Sequence, residues 1–208
     1  TVLDVGAIRS ALLFEGPLNQ QAAFYLSVRQ SFIHLYVDKF IEDEEFDFAT
    51  PPRNQDFQSK LRWELGQNDS LVVTATGADD KVRRRFDEGS RDVGKNPDLA
   101  SGEGYQSNYL QLGAVWEHSN DMSDSRMALN YLGRTEDIDQ GRSFQQRSQL
   151  QEWLLKGATN RRFEQGELDW GAEVKQQQLE LQFSGRSQPC NAETDSCPPG
   201  LYAPLVQD

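Results

Sequence analysis

Apolar side chains recur at every second position over unusually long stretches of this chain, and that periodicity restricts the fold more than any other feature. In Ser70 to Gly77, in Asn108 to Trp116 and in Lys60 to Leu65 the alternation is clear, and helical spacing fits none of these segments. Period-2 alternation is the signature of a strand with one apolar face. The same reading extends to Ile8–Leu18, Phe24–Val37, Arg126–Arg134 and Leu168–Phe183, the last with a change of phase between Val174 and Leu179. Such a slip predicts a β-bulge, or the point at which the strand leaves the layer that covers its apolar face.

Short and long connections take turns between these segments. Leu18–Gln21, Gly66–Asp69, Ser119–Asp124 and Glu164–Glu167 are compact and rich in residues that accept turn dihedrals. The stretches at about 41–55, 87–107, 135–149 and 185–208 carry much of the Pro, Gly and acid and read as loops. About eight strands in four hairpins follow, at roughly 6–18, 22–38, 56–66, 70–86, 107–118, 125–136, 144–163 and 167–184. Several exceed the five or six residues common in soluble sheets and reach the roughly nine to eleven that a tilted strand needs to cross a bilayer. The fold expected over residues 1–208 is therefore a single all-β domain, an antiparallel up-and-down transmembrane β-barrel segment.

Composition agrees with that expectation and removes others. The net charge is -12, with 33 acidic against 21 basic residues, which argues against a nucleic-acid surface. A mean hydropathy of -0.72 with no long apolar run excludes a transmembrane helix, although a barrel interleaves its apolar and polar residues. No signal-peptide pattern opens the chain at Thr1, so either a leader has been removed or the natural start lies upstream. No cofactor motif is present. His34 and His118, both placed on strands, stand in no nucleophile constellation, so no enzyme is expected.

Several residues carry specific expectations. Trp63, Trp116 and Trp170 each lie near a short turn and would form one aromatic girdle at a membrane interface. Arg9, Arg29 and Arg62, set among apolar neighbours, would face a polar lumen. Lys81, Arg83, Arg84 and Arg85 near the far end of a strand would meet lipopolysaccharide phosphates or else balance the acidic loops, with Arg84 on the opposite face from Arg83 and Arg85. Glu42, Asp43, Glu44, Glu45 and Asp47 form the most acidic run, a solvated loop or a site for a cationic ligand or divalent ion. Cys190 and Cys197 bracket a small loop that would close as a disulfide in an oxidising compartment.

Phe14-Glu15-Gly16-Pro17-Leu18-Asn19, then Phe24 to Phe32, a Pro51-Pro52 loop leading into Asp56-Phe57-Gln58-Ser59-Lys60-Leu61, and then Gly77-Ala78-Asp79-Asp80 together resemble the first barrel strands of TonB-dependent outer-membrane receptors. The resemblance covers about residues 7 to 80, and only the strand rhythm continues beyond. It implies an outer-membrane barrel of about 22 strands around an N-terminal plug. It also implies coupling through that plug to the TonB energy-transducing complex, and import of a siderophore, cobalamin, metal chelate or glycan recognised by the plug and the extracellular loops. Thr1–Val5 would be the tail of the plug-to-barrel transition, and the chain a fragment lacking the plug and the remaining strands. A complete eight-stranded outer-membrane barrel, structural or adhesive, and a soluble acidic β-sandwich that binds a glycan are the alternatives.

Overall fold

The computed structural model describes residues 1–6, 8–35, 46–86, 89, 93–94, 97–141 and 144–185. Among these residues nine strands run in chain order: β1 Val2–Val5, β2 Arg9–Pro17, β3 Ala22–Ser31, β4 Phe46–Glu64, β5 Asp69–Phe86, β6 Glu103–Ser119, β7 Ser123–Gln140, β8 Phe144–Phe163 and β9 Gly166–Gly185. Each pairs antiparallel with the next, giving one up-and-down sheet in the order β1 to β9. The sheet is not closed, and β1 and β9 form its two edges. It is a single layer, which replaces both the eight-stranded closed barrel and the two-sheet sandwich among the expectations.

Turn chemistry explains the short connections. Asn19 Oδ1 accepts the Gln21 backbone N–H at 2.8 Å, and Asn120 Oδ1 accepts those of Met122 and Ser123 at 2.9 and 2.8 Å. Both are Asx turns, in which the side chain stands in for a backbone acceptor. At the other end Gly141 opens the β7–β8 connection with φ 67°, a left-handed conformation that glycine adopts without a Cβ clash.

Strand limits depart from expectation where polar composition hides pairing. The connection expected around 135–149 shrinks to three residues: β8 begins at Phe144, where the strand over 144–163 is expected to start, but β7 runs four residues past its expected end at 136, and the two stay in register from Ser123 opposite Arg161 out to Gln140 opposite Phe144. Here one side of β7 carries Asp137 and Asp139 and the other mixes Glu136 and Gln140 with Ile138, so alternation gives little signal, and ion pairs such as Arg147–Asp137 at 3.5 Å accompany the ladder. Residues 46–55, also expected as loop, belong to β4. Pro51 and Pro52 fall in a stretch where the register shifts twice, between Phe48 and Thr50 and between Thr50 and Arg53, the irregularity that allows a strand to carry residues without an N–H. Similarly, β6 begins at Glu103 rather than 107.

The strand expected over 22–38 instead ends at Ser31, whose hydroxyl accepts the Ile33 N–H at 3.3 Å and turns the chain into a 3-10 turn at Ile33–Leu35. His34 therefore lies in a turn, not on a strand. The bulge expected between Val174 and Leu179 is absent, for β9 keeps an unbroken register with β8 from Gly166 to Gly185. What changes there is the face: Trp170, Ala172 and Val174 share one side, Leu179, Leu181 and Phe183 the other. The acidic residues Glu42 to Glu45 and the Cys190–Cys197 loop lie outside the described residues.

Almost nothing is buried. Phe86 and Val93 are the buried hydrophobic residues among those described, while Leu112, Leu129, Leu155, Trp153 and Val174 are among the many left exposed. An ordinary soluble domain of this size hides such residues in a core.

Candidate functional site, two chemically opposed faces

Residues directly opposite in an antiparallel ladder share a face. Trp63 is opposite Ala22 and Leu71, Leu71 is opposite Trp116, Trp116 opposite Met127, Met127 opposite Gly157 and Gly157 opposite Ala172. This row crosses seven strands near the short turns. Trp170 lies two residues before Ala172 and Trp153 four before Gly157, so all four tryptophans of the chain stand on one face. Trp63, Trp116 and Trp170 come to nearly one level, the arrangement expected of a girdle, with Trp153 deeper on the strand and packed against Tyr131 at 4.7 Å between ring centroids.

From that row toward the long connections the tryptophan face is mostly apolar and uncharged, with Ser59, Gln151, Gln176 and Gln178 as its polar members. β6 places Leu110, Leu112 and Ala114 there, β5 Val73 and Ala75, β7 Leu129 and Tyr131, and β3 Phe24, Leu26 and Val28. No Asp, Glu, Lys or Arg of β2 to β9 stands on this face until the row of Gln30, Gln55, Asp79, Asn108 and Glu180. From the Trp170 level, which is His118 on β6, to Leu110 is about nine residues, the length a tilted strand needs to cross a bilayer.

Over the same length the opposite face is charged and paired across strands. Arg29 Nε lies 2.8 Å from Asp56, Lys156 3.4 Å from Glu173, and Lys175 2.9 Å from Glu152. Arg9, Arg29 and Arg62 all fall on this face, Arg9 opposite Ser31, Arg29 opposite Ala11 and Asp56, and Arg62 opposite Ala23 and Val72. Every charge in the middle of β3 to β9 is thus on one side of a sheet only one layer thick.

At the short-turn end a hydrogen-bonded cluster ties three connections together. Asp69 Oδ1 accepts the Trp116 indole N–H at 3.1 Å and meets His118 Nδ1 at 2.9 Å, while Asn120 Nδ2 meets His118 Nε2, also at 2.9 Å. Because Asn120 Oδ1 is already held by two backbone donors, its Nδ2 must be the end facing His118, which makes Nε2 the acceptor and leaves Nδ1–H to donate to Asp69. The Trp116 and His118 rings stack at 5.9 Å. Arg162 from the end of β8 reaches the Asn120 and Asp121 carbonyls at 3.4 and 3.5 Å and pairs with Asp124. His118 lies on a strand, as expected from the sequence. The roles of Asp69, Asn120 and Arg162 were not foreseen, although the Asn-Asp-Met-Ser turn carries the Asx-turn signal.

At the far end Arg83 and Arg85 lie on the tryptophan face and Arg84 on the other, as alternation requires. Arg83 is 3.4 Å from Asp139; Arg84 pairs with Glu103 and sits 5.7 Å above the Phe86 ring. Asp47 is opposite Arg85 in the ladder. Among the described residues no helix is long and apolar enough to cross a membrane, which leaves crossing by strands open. No protein-family model, curated protein or solved structure matches the chain.

Proposed function

We propose that this chain is a section of the barrel of an outer-membrane transporter of the TonB-dependent receptor type, with the tryptophan face toward lipid and the charged face toward the lumen. One observation carries the reading. A single-layer sheet, with almost nothing buried among the described residues, presents an uncharged and mostly apolar band on one side and paired charges on the other, which is the polarity of a barrel wall. The motif resemblance over residues 7 to 80 supports the receptor type, and a charged lumenal face is the surface a plug domain would pair with.

Strand count supports a larger barrel. In an up-and-down sheet of nine strands β1 and β9 run in the same direction, so an antiparallel ladder cannot join the two edges; single-chain bacterial barrels have an even number of antiparallel strands, and further strands between β1 and β9 fit that pattern. The function is transport rather than catalysis. Its ligand, a siderophore, cobalamin, metal chelate or glycan, meets the extracellular connections, and lipopolysaccharide surrounds the outer rim.

Single cysteines at Leu112 and Gln111 in the intact reading frame, expressed in cells with an outer membrane, test the reading. The protein is expected in the outer-membrane fraction, with the cysteine at 112 shielded from a polar thiol reagent and that at 111 labelled. Equal labelling at both positions, or recovery in the soluble fraction, would refute it. Receptor function itself predicts ligand uptake that stops when the proton-motive force is collapsed.

A further inference from the structure

We propose that the cavity formed by β3, β4, β5 and the 3-10 turn at Ile33–Leu35 binds a sugar phosphate, its phosphoryl group held by Arg53 and Lys81. The cavity, of about 410 Å³, lies on the tryptophan face just beyond the apolar band. Arg53 and Lys81 are directly opposite in the β4–β5 ladder, and like charges so placed destabilise a sheet unless something neutralises them. Neither has a carboxylate partner among the described residues. The register shift between Thr50 and Arg53 sets Arg53 there, and such irregularities re-aim side chains beside binding sites. His34 lines the same cavity, with its Nδ1 buried and without a hydrogen-bond partner.

These features suit a phosphate. A guanidinium grips phosphate through two parallel N–H donors, and the ammonium beside it adds a compact charge. The rest of the lining reads hydroxyl groups: Gln30, Gln55 and Gln106 offer amides, and Asp79 accepts from a sugar hydroxyl. The volume admits a sugar ring as well as the phosphate. Of the basic residues expected at phosphates, Arg83 and Arg84 already hold Asp139 and Glu103, which leaves Lys81, joined by Arg53 from β4. That the ligand belongs to an outer-leaflet glycolipid rests on the barrel reading; the chemistry of the cavity does not.

Titration calorimetry of the full chain in detergent, with glucosamine 1-phosphate, glucosamine and inorganic phosphate as probes, tests the site. Vesicles carrying a bisphosphorylated glycolipid or its dephosphorylated form make the lipid arm. Glucosamine 1-phosphate or the phosphorylated glycolipid is expected to bind and the unphosphorylated counterparts not to. Arg53→Gln and Lys81→Gln should each weaken binding about tenfold, whereas Arg83→Gln should leave it unchanged. Preference for the lipid-borne form identifies the bilayer as the source, and equal binding of the soluble sugar identifies a free ligand; both support the site. Binding that ignores the phosphate, or that survives in the exposed double variant R53Q/K81Q, overturns it. Quenching of tryptophan by brominated lipid in the same samples reports the barrel reading separately.

Discussion

Leu112 and Gln111 are neighbours on β6, equally accessible in the open sheet, and differ in the face they occupy. An arginine at each therefore isolates the surroundings of the two faces. Leu112 lies four residues beyond Trp116, which at about 3.4 Å per residue and a tilt of about 40° is about 10 Å beneath the girdle, close to the middle of a band about 25 Å tall. Arginine on the lipid side at that depth costs about 2–4 kcal/mol, or about 30- to 900-fold in the folding equilibrium. Gln111 looks across to Thr76 and Leu132 on the charged face, where an added arginine should change stability by less than about 0.5 kcal/mol. Met127, in the same row as Trp116, is the interfacial control, with an expected cost of about 0–1 kcal/mol. Guanidinium titration of the whole barrel folded into phosphatidylcholine vesicles, followed by tryptophan emission, measures all three. If Leu112→Arg costs no more than Gln111→Arg, the tryptophan face does not meet lipid and the assignment of faces fails.

Lipids brominated at graded depths should quench Trp153 most strongly near the chain centre and Trp63, Trp116 and Trp170 nearer the headgroups, measured on variants that each keep one tryptophan; a uniform depth would contradict the girdle. Asn120→Ala removes the acceptor for two backbone N–H groups and the partner of His118, so it should cost about 1–3 kcal/mol in denaturant titration, with Asp121→Ala as a nearly neutral control. Gly77→Ala places a Cβ 2.5 Å from Phe57 Cε1 and 3.0 Å from the Tyr109 carbonyl, so the ring must shift, and a loss of about 1–3 kcal/mol is expected in the same assay. Asp139→Asn breaks a pair with Arg83 that is open to solvent and should cost less than about 1 kcal/mol.

Alternation made the centre of each long strand legible because there one face is apolar and the other polar. Val73 and Thr74, or Gln111 and Leu112, could hardly be placed otherwise. Beyond the band that contrast disappears. Asp137, Asp139 and Gln140 are polar and read as loop, yet they lie in a continuous ladder, since pairing of backbone groups does not depend on side-chain polarity. Proline misled in the same way at Pro51 and Pro52, where a local shift of register makes room for it. The charge pattern was legible on single strands, as with Arg83, Arg84 and Arg85, but which carboxylate each arginine meets depends on register across strands far apart in the chain. The cavity at Arg53 and Lys81 was hidden for that reason, as it needs two strands and a turn that ends β3 early.

The open edges link the membrane reading to the reading of the chain as a segment. Along β9, 20 residues long, about every second residue turns its N–H and C=O away from β8, and across the part that would lie in hydrocarbon this leaves about ten groups without partners. At β1 the exposure is similar, because its four residues cover Ser10 to Leu13 and leave Phe14 to Pro17 of β2 open on that side. Each unsatisfied group costs several kcal/mol in lipid, so the sum exceeds the roughly 5–15 kcal/mol by which folded domains are stable. A sheet whose apolar face meets lipid must therefore have both edges paired, and in an all-antiparallel barrel nine strands cannot pair them with each other. In water the edges would be solvated, but the apolar face, with Leu112, Trp153 and Val174 exposed, would then be the unfavourable surface. Additional strands at both edges and lipid against the tryptophan face resolve these two costs together, and neither resolves them alone.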